Sequence, residues 1–359
     1  MKKIVVYIVS IFFCGLVIWN LTYPNQEMSA TERRKLQQFP ELSVKTVLNG
    51  KFMSQFEAYA ADQFPLRDGI RELKADIAMK FMGKTDNDGY YEKDGYLSQM
   101  EYPLDEGAIQ YASQLFGKIH DEYLQEAGCN VYYSVIPDKN YFLADNHLKM
   151  DYDKLVNMLR ENLDDFEYID IFEELQIEDY YKTDTHWRQE KIQDVAEKLL
   201  AGMGTVASDG YKMVDPEVPF YGVYYGQSAL GTKPEDLYYM TNEVLDSCEV
   251  YDYQNDRMME IYDLEKLSGN DPYEVFLGGP LSLLEITNSS ADSDNTLIVY
   301  RDSFGSSIAP YFVHNYAKVV LVDIRYLPYE RAAQYIDFEE ADVLFLYSTL
   351  VLNNSDTMK

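Results

Sequence analysis

Apolar or weakly polar side chains run from Ile4 to Trp19, interrupted by Ser10 and Gly15, before Asn20, Leu21, Thr22, Tyr23 and Pro24 close the run. At 1.5 Å per residue a helix from Ile4 to Tyr23 is ~30 Å long, the thickness of a bilayer's hydrocarbon core. Lys51 to Met82 reads as helical with a break at Phe64-Pro65, and the turn-rich Thr85-Asp86-Asn87-Asp88-Gly89 follows. Helix and apolar strand then alternate. Ala108–Ala127 is amphipathic, Val131–Ile136 a strand ending at Pro137, Tyr152–Leu163 a helix, Tyr168–Ile171 a short strand and Gln189–Leu200 a helix. Gly202 to Asn295 is Tyr-rich and Gly-punctuated, with short β-like runs such as Tyr221–Gly226 and Val275–Pro280. The α/β pattern resumes at Leu297–Tyr300, Val319–Val322 and Val343–Leu346. Such alternation predicts a mainly parallel sheet with helices on both faces. The expected organisation is an N-terminal segment 1–24, a helical lead-in 25–97, and an α/β domain 98–359 with a Tyr-rich β insertion at about 202–295.

The first segment reads as an uncleaved anchor. Cleavage wants small residues in an A-x-A-like pattern, and Met28-Ser29-Ala30 has Met where a small residue belongs. A lipoprotein at Cys14 is disfavoured by Phe12 and Phe13 before it. Lys2 and Lys3 hold the N-terminus in the cytoplasm, although Arg33, Arg34 and Lys35 dilute that bias, so the rest is expected outside the membrane. Composition agrees with a globular exported part. The whole chain has 31 basic and 61 acidic side chains; without Lys2 and Lys3 the balance is -32. Nucleic acid is excluded as a partner, because counterion release needs clustered cations that this surface lacks. Cys129 and Cys248 allow one disulfide but no framework, and no Cys/His spacing fits zinc, so neither metal nor other cofactor is expected.

In sheets of this kind, sites form where loops leave the carboxyl ends of strands. Two such loops carry chemistry: Thr183-Asp184-Thr185-His186-Trp187, and Tyr300-Arg301-Asp302-Ser303-Phe304-Gly305. Ser303 stands where a strand turns into a helix, which presents a hydroxyl forward, and Pro310 fits if it lies in the first helical turn or just after. Of the four histidines, His120 lies on an amphipathic helix, His147 in a polar loop and His314 late in the segment after Ser303. His186 alone has a carboxylate two residues earlier, and in extended backbone residues i and i+2 point the same way. Asp184, His186 and Ser303 then make one possible triad. Asp184 as a helix cap beside an ordinary packed histidine is the other reading of the same spacing.

Taken together, Phe64-Pro65-Leu66-Arg67-Asp68, Thr183–Trp187, Phe276-Leu277-Gly278-Gly279-Pro280, and Arg301–Phe304 through Asp323-Ile324-Arg325-Tyr326 resemble the DHHW protein family of bacterial envelopes. That family is similar to the SGNH-hydrolase-like proteins of alginate O-acetylation. The resemblance runs from about Leu48 to the C-terminus. It implies an SGNH-like α/β/α sandwich, with Ser303 as nucleophile, His186 as base and Asp184 orienting it. It also implies O-acetyl transfer on a surface polysaccharide beside a membrane-bound O-acyltransferase. Two positions depart from the pattern. The family's first His is Thr185, which leaves His186 as the base, and the usual Gly-Asp-Ser is Arg301-Asp302-Ser303, where glycine's freedom is missing. No C-terminal carbohydrate-binding module is expected, so a glycan would bind the α/β domain itself.

Ser303 would take an acetyl group after giving its proton to His186, with the oxyanion met by the Ser303 amide and one or two further donors. Lys139, Asn140, Tyr225 and Arg301 are the candidates for oxyanion or substrate contact, and each is equally readable as a loop or packing residue. Most of the 33 tyrosines read as packing and a few as sugar contacts. The alternative in a different class is a non-catalytic envelope scaffold or glycan-binding partner of the acyltransferase.

Overall fold

The structure is a computed structural model that describes residues 2–145, 147–291 and 293–359. The chain divides into two compact units, Met1–Asp88 with Tyr225–Gly231, and Gly89–Tyr224 with Thr232–Lys359.

The first unit opens with helix α1, Lys2–Thr22. Its stretch Lys3–Asn20 has a mean hydropathy of 2.0 and is not buried, which makes it long and apolar enough to cross a membrane. Helices α2, Lys51–Asp62, and α3, Arg67–Asp76, flank the break at Phe64-Pro65, and α3 runs on through a π-helical turn, Ile77–Phe81. Proline lacks an N–H and disfavours helix in the residue before it, which separates the two helices. Past the break, Arg67 lies 2.5 Å from Glu32, and Arg71 lies 3.2 Å from the same carboxylate. Arg34 holds Asp62 through two hydrogen bonds of 2.7 and 2.9 Å, which keep that carboxyl below its usual range. Arg71 also donates to the carbonyls of Gly226 and Gln227 at 2.9 and 3.1 Å. A Cβ on Gly226 would fall 1.7 Å from the Thr31 carbonyl oxygen, so that approach admits only glycine. The Phe-Pro-Leu-Arg-Asp string thus serves the ion pairing of this unit.

The second unit is built on an eight-stranded sheet. A hairpin of β1, Tyr90–Lys93, and β2, Tyr96–Gln99, comes first. Helix α4, Glu106–Ile119, leads to β3, Asn130–Ile136. Helices α5, Lys139–Leu143, and α6, Tyr152–Asn162, precede β4, Glu167–Tyr168. Helix α7, Gln193–Gly202, is followed by β5, Glu249–Asp252, β6, Arg257–Met259, and β7, Leu283–Thr287. The last part holds β8, Thr296–Arg301, helix α8, Phe304–Ile308, β9, Lys318–Val322, and β10, Asp342–Ser348. The sheet order is β6-β5-β7-β9-β8-β10-β3-β4. Pairs from β9 to β4 are parallel; β7, β5 and β6 extend the sheet antiparallel.

Alternate residues of the central strands feed two cores. Ile136, Leu297, Val299, Leu321 and Leu344 pack with Val195 and Leu199 of α7. Val135, Ile298, Val320, Val343 and Phe345 pack with Ile109 of α4 and Leu155 of α6. Both faces are covered, which is why these strands read as unbroken apolar runs, and the layering is α/β/α.

Three local readings differ. The Tyr221–Gly226 run is not extended: Val223–Ser228 is a helix. Val275–Pro280 is a turn with positive φ at Leu277, Gly278 and Gly279, a conformation that two glycines permit. Gln189–Lys191 is a 3₁₀ turn ahead of α7, because the buried Gln189 side chain is spent on tertiary partners, donating to the Ser307 carbonyl at 2.8 Å and accepting from the Met240 amide at 2.7 Å. Cys129 and Cys248 are free thiols that donate to the carbonyls of Phe338 and Val244.

Candidate active site

Strands β8, β10 and β3 are parallel neighbours, and the register sets Arg301 against Leu346 and Ser348 against Ile136. Their carboxyl ends therefore lie on one edge of the sheet, where a row of hydrogen bonds joins them. Asp302, just past β8, accepts from the Ser348 amide at 2.8 Å and the Ser348 hydroxyl at 2.6 Å with one oxygen, and from the Phe304 amide at 3.0 Å with the other. Thr349, just past β10, donates at 2.7 Å to Asp138, just past β3, whose carboxyl burial raises to about 6 against the opposing bonds from Thr349 and Tyr152.

Anchored by Asp302, Ser303 stands at the N-terminus of α8 without a side-chain capping bond and is part-exposed. Its Oγ lies 2.7 Å from His186 Nε2, and Asp184 Oδ1 lies 2.5 Å from His186 Nδ1. Asp184 is fully buried and fully engaged: its Oδ1 also accepts the His186 amide at 3.1 Å, and its Oδ2 accepts the Val223 amide at 2.7 Å. A proton on Nδ1 shared with Asp184 leaves Nε2 free to accept from the serine hydroxyl.

The histidine is held by packing as well. The Tyr273 ring stacks on the imidazole with centroids 3.8 Å apart and planes 6° from parallel. The Tyr273 hydroxyl and Trp187 Nε1 both donate to Ser307 Oγ at 2.9 Å, and Trp187 reaches the Phe304 carbonyl at 3.2 Å. Ser307 thereby ties the helix that follows Ser303 to the loop that bears His186. Pro310 falls in the 3₁₀ turn Ala309–Tyr311 after α8 and costs that helix no donor. Arg301 needs no glycine in its place, since it lies in extended strand; the tight position is Gly305, where a Cβ would stand 2.6 Å from Arg301 Cβ.

The other candidates are spent on the fold. Lys139 is buried and donates to the carbonyls of Tyr181 and Lys182 at 2.9 and 3.3 Å, under the Tyr224 ring. Burial pushes its ammonium well down, against the pull of Asp184 and Glu235. Asn140 accepts from the Tyr91 hydroxyl at 2.8 Å and donates to the Leu148 carbonyl at 3.1 Å. Arg301 donates to the Leu281 carbonyl at 3.1 Å and lies 3.7 Å from Asp323, which also binds Arg325 at 2.6 Å. In this way Arg301 and Asp323 tie the Gly-Gly-Pro turn to the sheet. Tyr225 belongs to the first unit, where its hydroxyl donates to Glu72 at 3.3 Å. Thr185 faces away from the Asp184–His186 pair, its Oγ1 lying 3.0 Å from the Tyr224 hydroxyl. Among the described residues no group of acidic, His and Cys side chains could hold a metal.

Sequence reasoning missed Tyr273, Ser307 and Gly222. A Cβ on Gly222 would lie 2.3 Å from Asp184 Cα, and its amide donates at 2.8 Å to Thr183 Oγ1. No spacing links residue 222 to residue 184, so only the fold shows this. Gly222→Ala is therefore expected to push Asp184 off the imidazole. The change is read as loss of the downfield Nδ1 proton signal in NMR and a fall of roughly 100-fold in any activity that depends on the pair. A signal left in place would show that the loop yields without cost.

Residues 153–322, which include Asp184, His186 and Ser303, match the DHHW protein family. PatB1 of Bacillus cereus, solved with a sulfonyl adduct, superposes with a TM-score of 0.60 at 20% identity over 73% of this chain and 95% of that one. A DHHW family protein from Eubacterium siraeum gives 0.59 at 19% identity over 75% and 92%. The O-acetyltransferase domain of Pseudomonas putida AlgJ gives 0.44 at 13% over 74% and 92%. The first two likenesses show a shared fold. No curated protein sequence matches the chain.

Proposed function

Proceeding from the match to the DHHW protein family over residues 153–322, we propose that the chain is an extracytoplasmic O-acetyltransferase or acetylesterase that acts on a cell-surface polysaccharide through Ser303, His186 and Asp184. The observation that carries this reading is the continuous hydrogen-bonded line from Asp184 Oδ1 through both nitrogens of His186 to Ser303 Oγ. In the first step Ser303 Oγ attacks the acetyl carbonyl and its proton passes to His186 Nε2. That proton then leaves with the departing alcohol, and acetyl-Ser303 remains. A sugar hydroxyl, or water, repeats the sequence in reverse as it takes the acetyl group. Asp184 keeps the ring in the tautomer that accepts on Nε2 and stabilises the imidazolium. The Ser303 amide donates no other hydrogen bond among the described residues, so it is the proposed first oxyanion donor, worth about 3 kcal/mol if well placed. Lys139 acts at one remove, holding the carbonyls of the loop that carries Asp184.

Assay of the purified chain on a small activated acetyl ester and on acetylated glycans tests the reading, with acetate release or transfer to an oligosaccharide as the expected result. Wild-type protein inert on both would favour the glycan-binding scaffold, beside a membrane-bound O-acyltransferase in either case.

Residues 1–24 are proposed to remain attached as a single membrane helix, with residues 25–97 leading to the α/β domain at 98–359 outside. N-terminal sequencing of the mature protein is expected to find the segment intact. A start near Ala30 or Thr31 would remove the anchor.

A further inference from the structure

Helix α3 is amphipathic the wrong way round for a helix facing water. Its covered side carries Arg67, Arg71, Ala75 and Ala78, with both alanines buried. Ile70, Leu73, Ile77 and Phe81 follow the spacing i, i+3, i+7, i+11, which places them on one stripe within an arc of about 80°, and Leu66 is the residue just before the helix. All five are exposed, Leu66 by 66%, Leu73 by 58% and Phe81 by 83%. A row of large apolar side chains in water marks a surface that is covered in use.

Two observations say by what. A cavity of about 530 Å³ in the same unit is lined by Leu66 and Ile70 together with Tyr23, the residue that follows α1. The start of the stripe and the end of the apolar helix therefore border one space. Charge is partitioned in the same sense. On the anchor reading Lys2 and Lys3 stay on the cytoplasmic side, so residues 4–88 carry 10 basic and 10 acidic side chains, a balance of 0, whereas residues 89–359 carry 19 and 51, a balance of -32. An anionic lipid surface repels the second set and tolerates the first.

We propose that the Leu66–Phe81 stripe lies in the headgroup region of the bilayer that holds α1, so that this chain is attached to lipid twice, by a spanning helix and by an interfacial one. The proposal rests on the anchor reading of residues 1–24. An interfacial helix buries its apolar face at the boundary of headgroups and acyl chains, and the exposed Lys74 and Lys80 flanking the stripe suit anionic lipid.

The test uses the full chain with Cys14, Cys129 and Cys248 replaced by serine, reconstituted in phosphatidylglycerol/phosphatidylethanolamine vesicles. An environment-sensitive fluorophore is attached at Leu73→Cys, at Ile77→Cys, or at Gln110→Cys on the exposed side of α4. Blue-shifted emission at positions 73 and 77, quenched by spin-labelled lipid, with unquenched aqueous emission at 110, is the expected result. Aqueous emission at 73 and 77 overturns the proposal. So does a blue shift that spin-labelled lipid does not quench, since a second copy of the chain would then cover the stripe. Alkaline carbonate extraction of the same vesicles reports α1 separately. A chain retained with position 73 in water refutes the stripe alone, and a chain extracted while lipid quenching at 73 had been present refutes the anchor alone.

Discussion

Ser303→Ala is expected to lower turnover of an activated acetyl ester by roughly 10⁴-fold or more, to the level of the uncatalysed reaction plus what binding supplies. The side chain is part-exposed and its hydroxyl has His186 as its partner, so the fold should be unchanged by circular dichroism. Asp184→Asn is expected to be nearly as deep. Each oxygen of Asp184 accepts from a donor, His186 on one side and Val223 on the other. Whichever way an asparagine turns, its NH₂ meets an N–H or forces the imidazole into the wrong tautomer. A loss of roughly 10²- to 10⁴-fold follows. Thr185→Ala should change little, because its hydroxyl accepts from Tyr224 and not from the Asp184–His186 pair. Esterase rates on the three variants, compared at matched folding, are the measurement. A Thr185→Ala loss as deep as that of Ser303→Ala would show that the base has been assigned to the wrong part of the motif.

Asp302→Ala carries the largest expected effect on stability. The carboxyl is fully buried and accepts three hydrogen bonds that join the end of β8 to the end of β10 and to the first turn of α8. Removing it strands the Ser348 and Phe304 amides and the Ser348 hydroxyl in a dry place, a cost of about 3–5 kcal/mol. Denaturant unfolding of the detergent-solubilised chain should show the midpoint falling without a change in slope. Activity should fall with it, because Ser303 takes its position from Asp302. A destabilisation below about 1 kcal/mol would mean that water replaces the carboxylate at these donors.

Asp302 also shows where sequence reading stops. In the string Arg301-Asp302-Ser303 the aspartate stands between two candidate residues, yet one of its oxygens faces the next strand and the other the first turn of α8, so it serves the fold. Arg301 looks like a loop cation and is a buried tie to Leu281. The same holds for Lys139 and Asn140, whose polar atoms are turned to carbonyls and a tyrosine of their own unit.

What the order of residues determined by itself is what depends on near neighbours or on period. The apolar run of α1, the unbroken strands buried on both faces, the alternation of strand and helix, and the two-residue spacing that lets Asp184 turn back to His186 are all local. The motifs in family order were legible for the same reason. The tertiary structure alone decided which chain segments share a strand edge. It carried Ser303 across 117 residues to His186, laid Tyr273 on the imidazole, pressed Gly222 against Asp184 and turned the large side chains of α3 outward. Those contacts depend on parallel register and on which helix face meets the core, and no short string of residues encodes either.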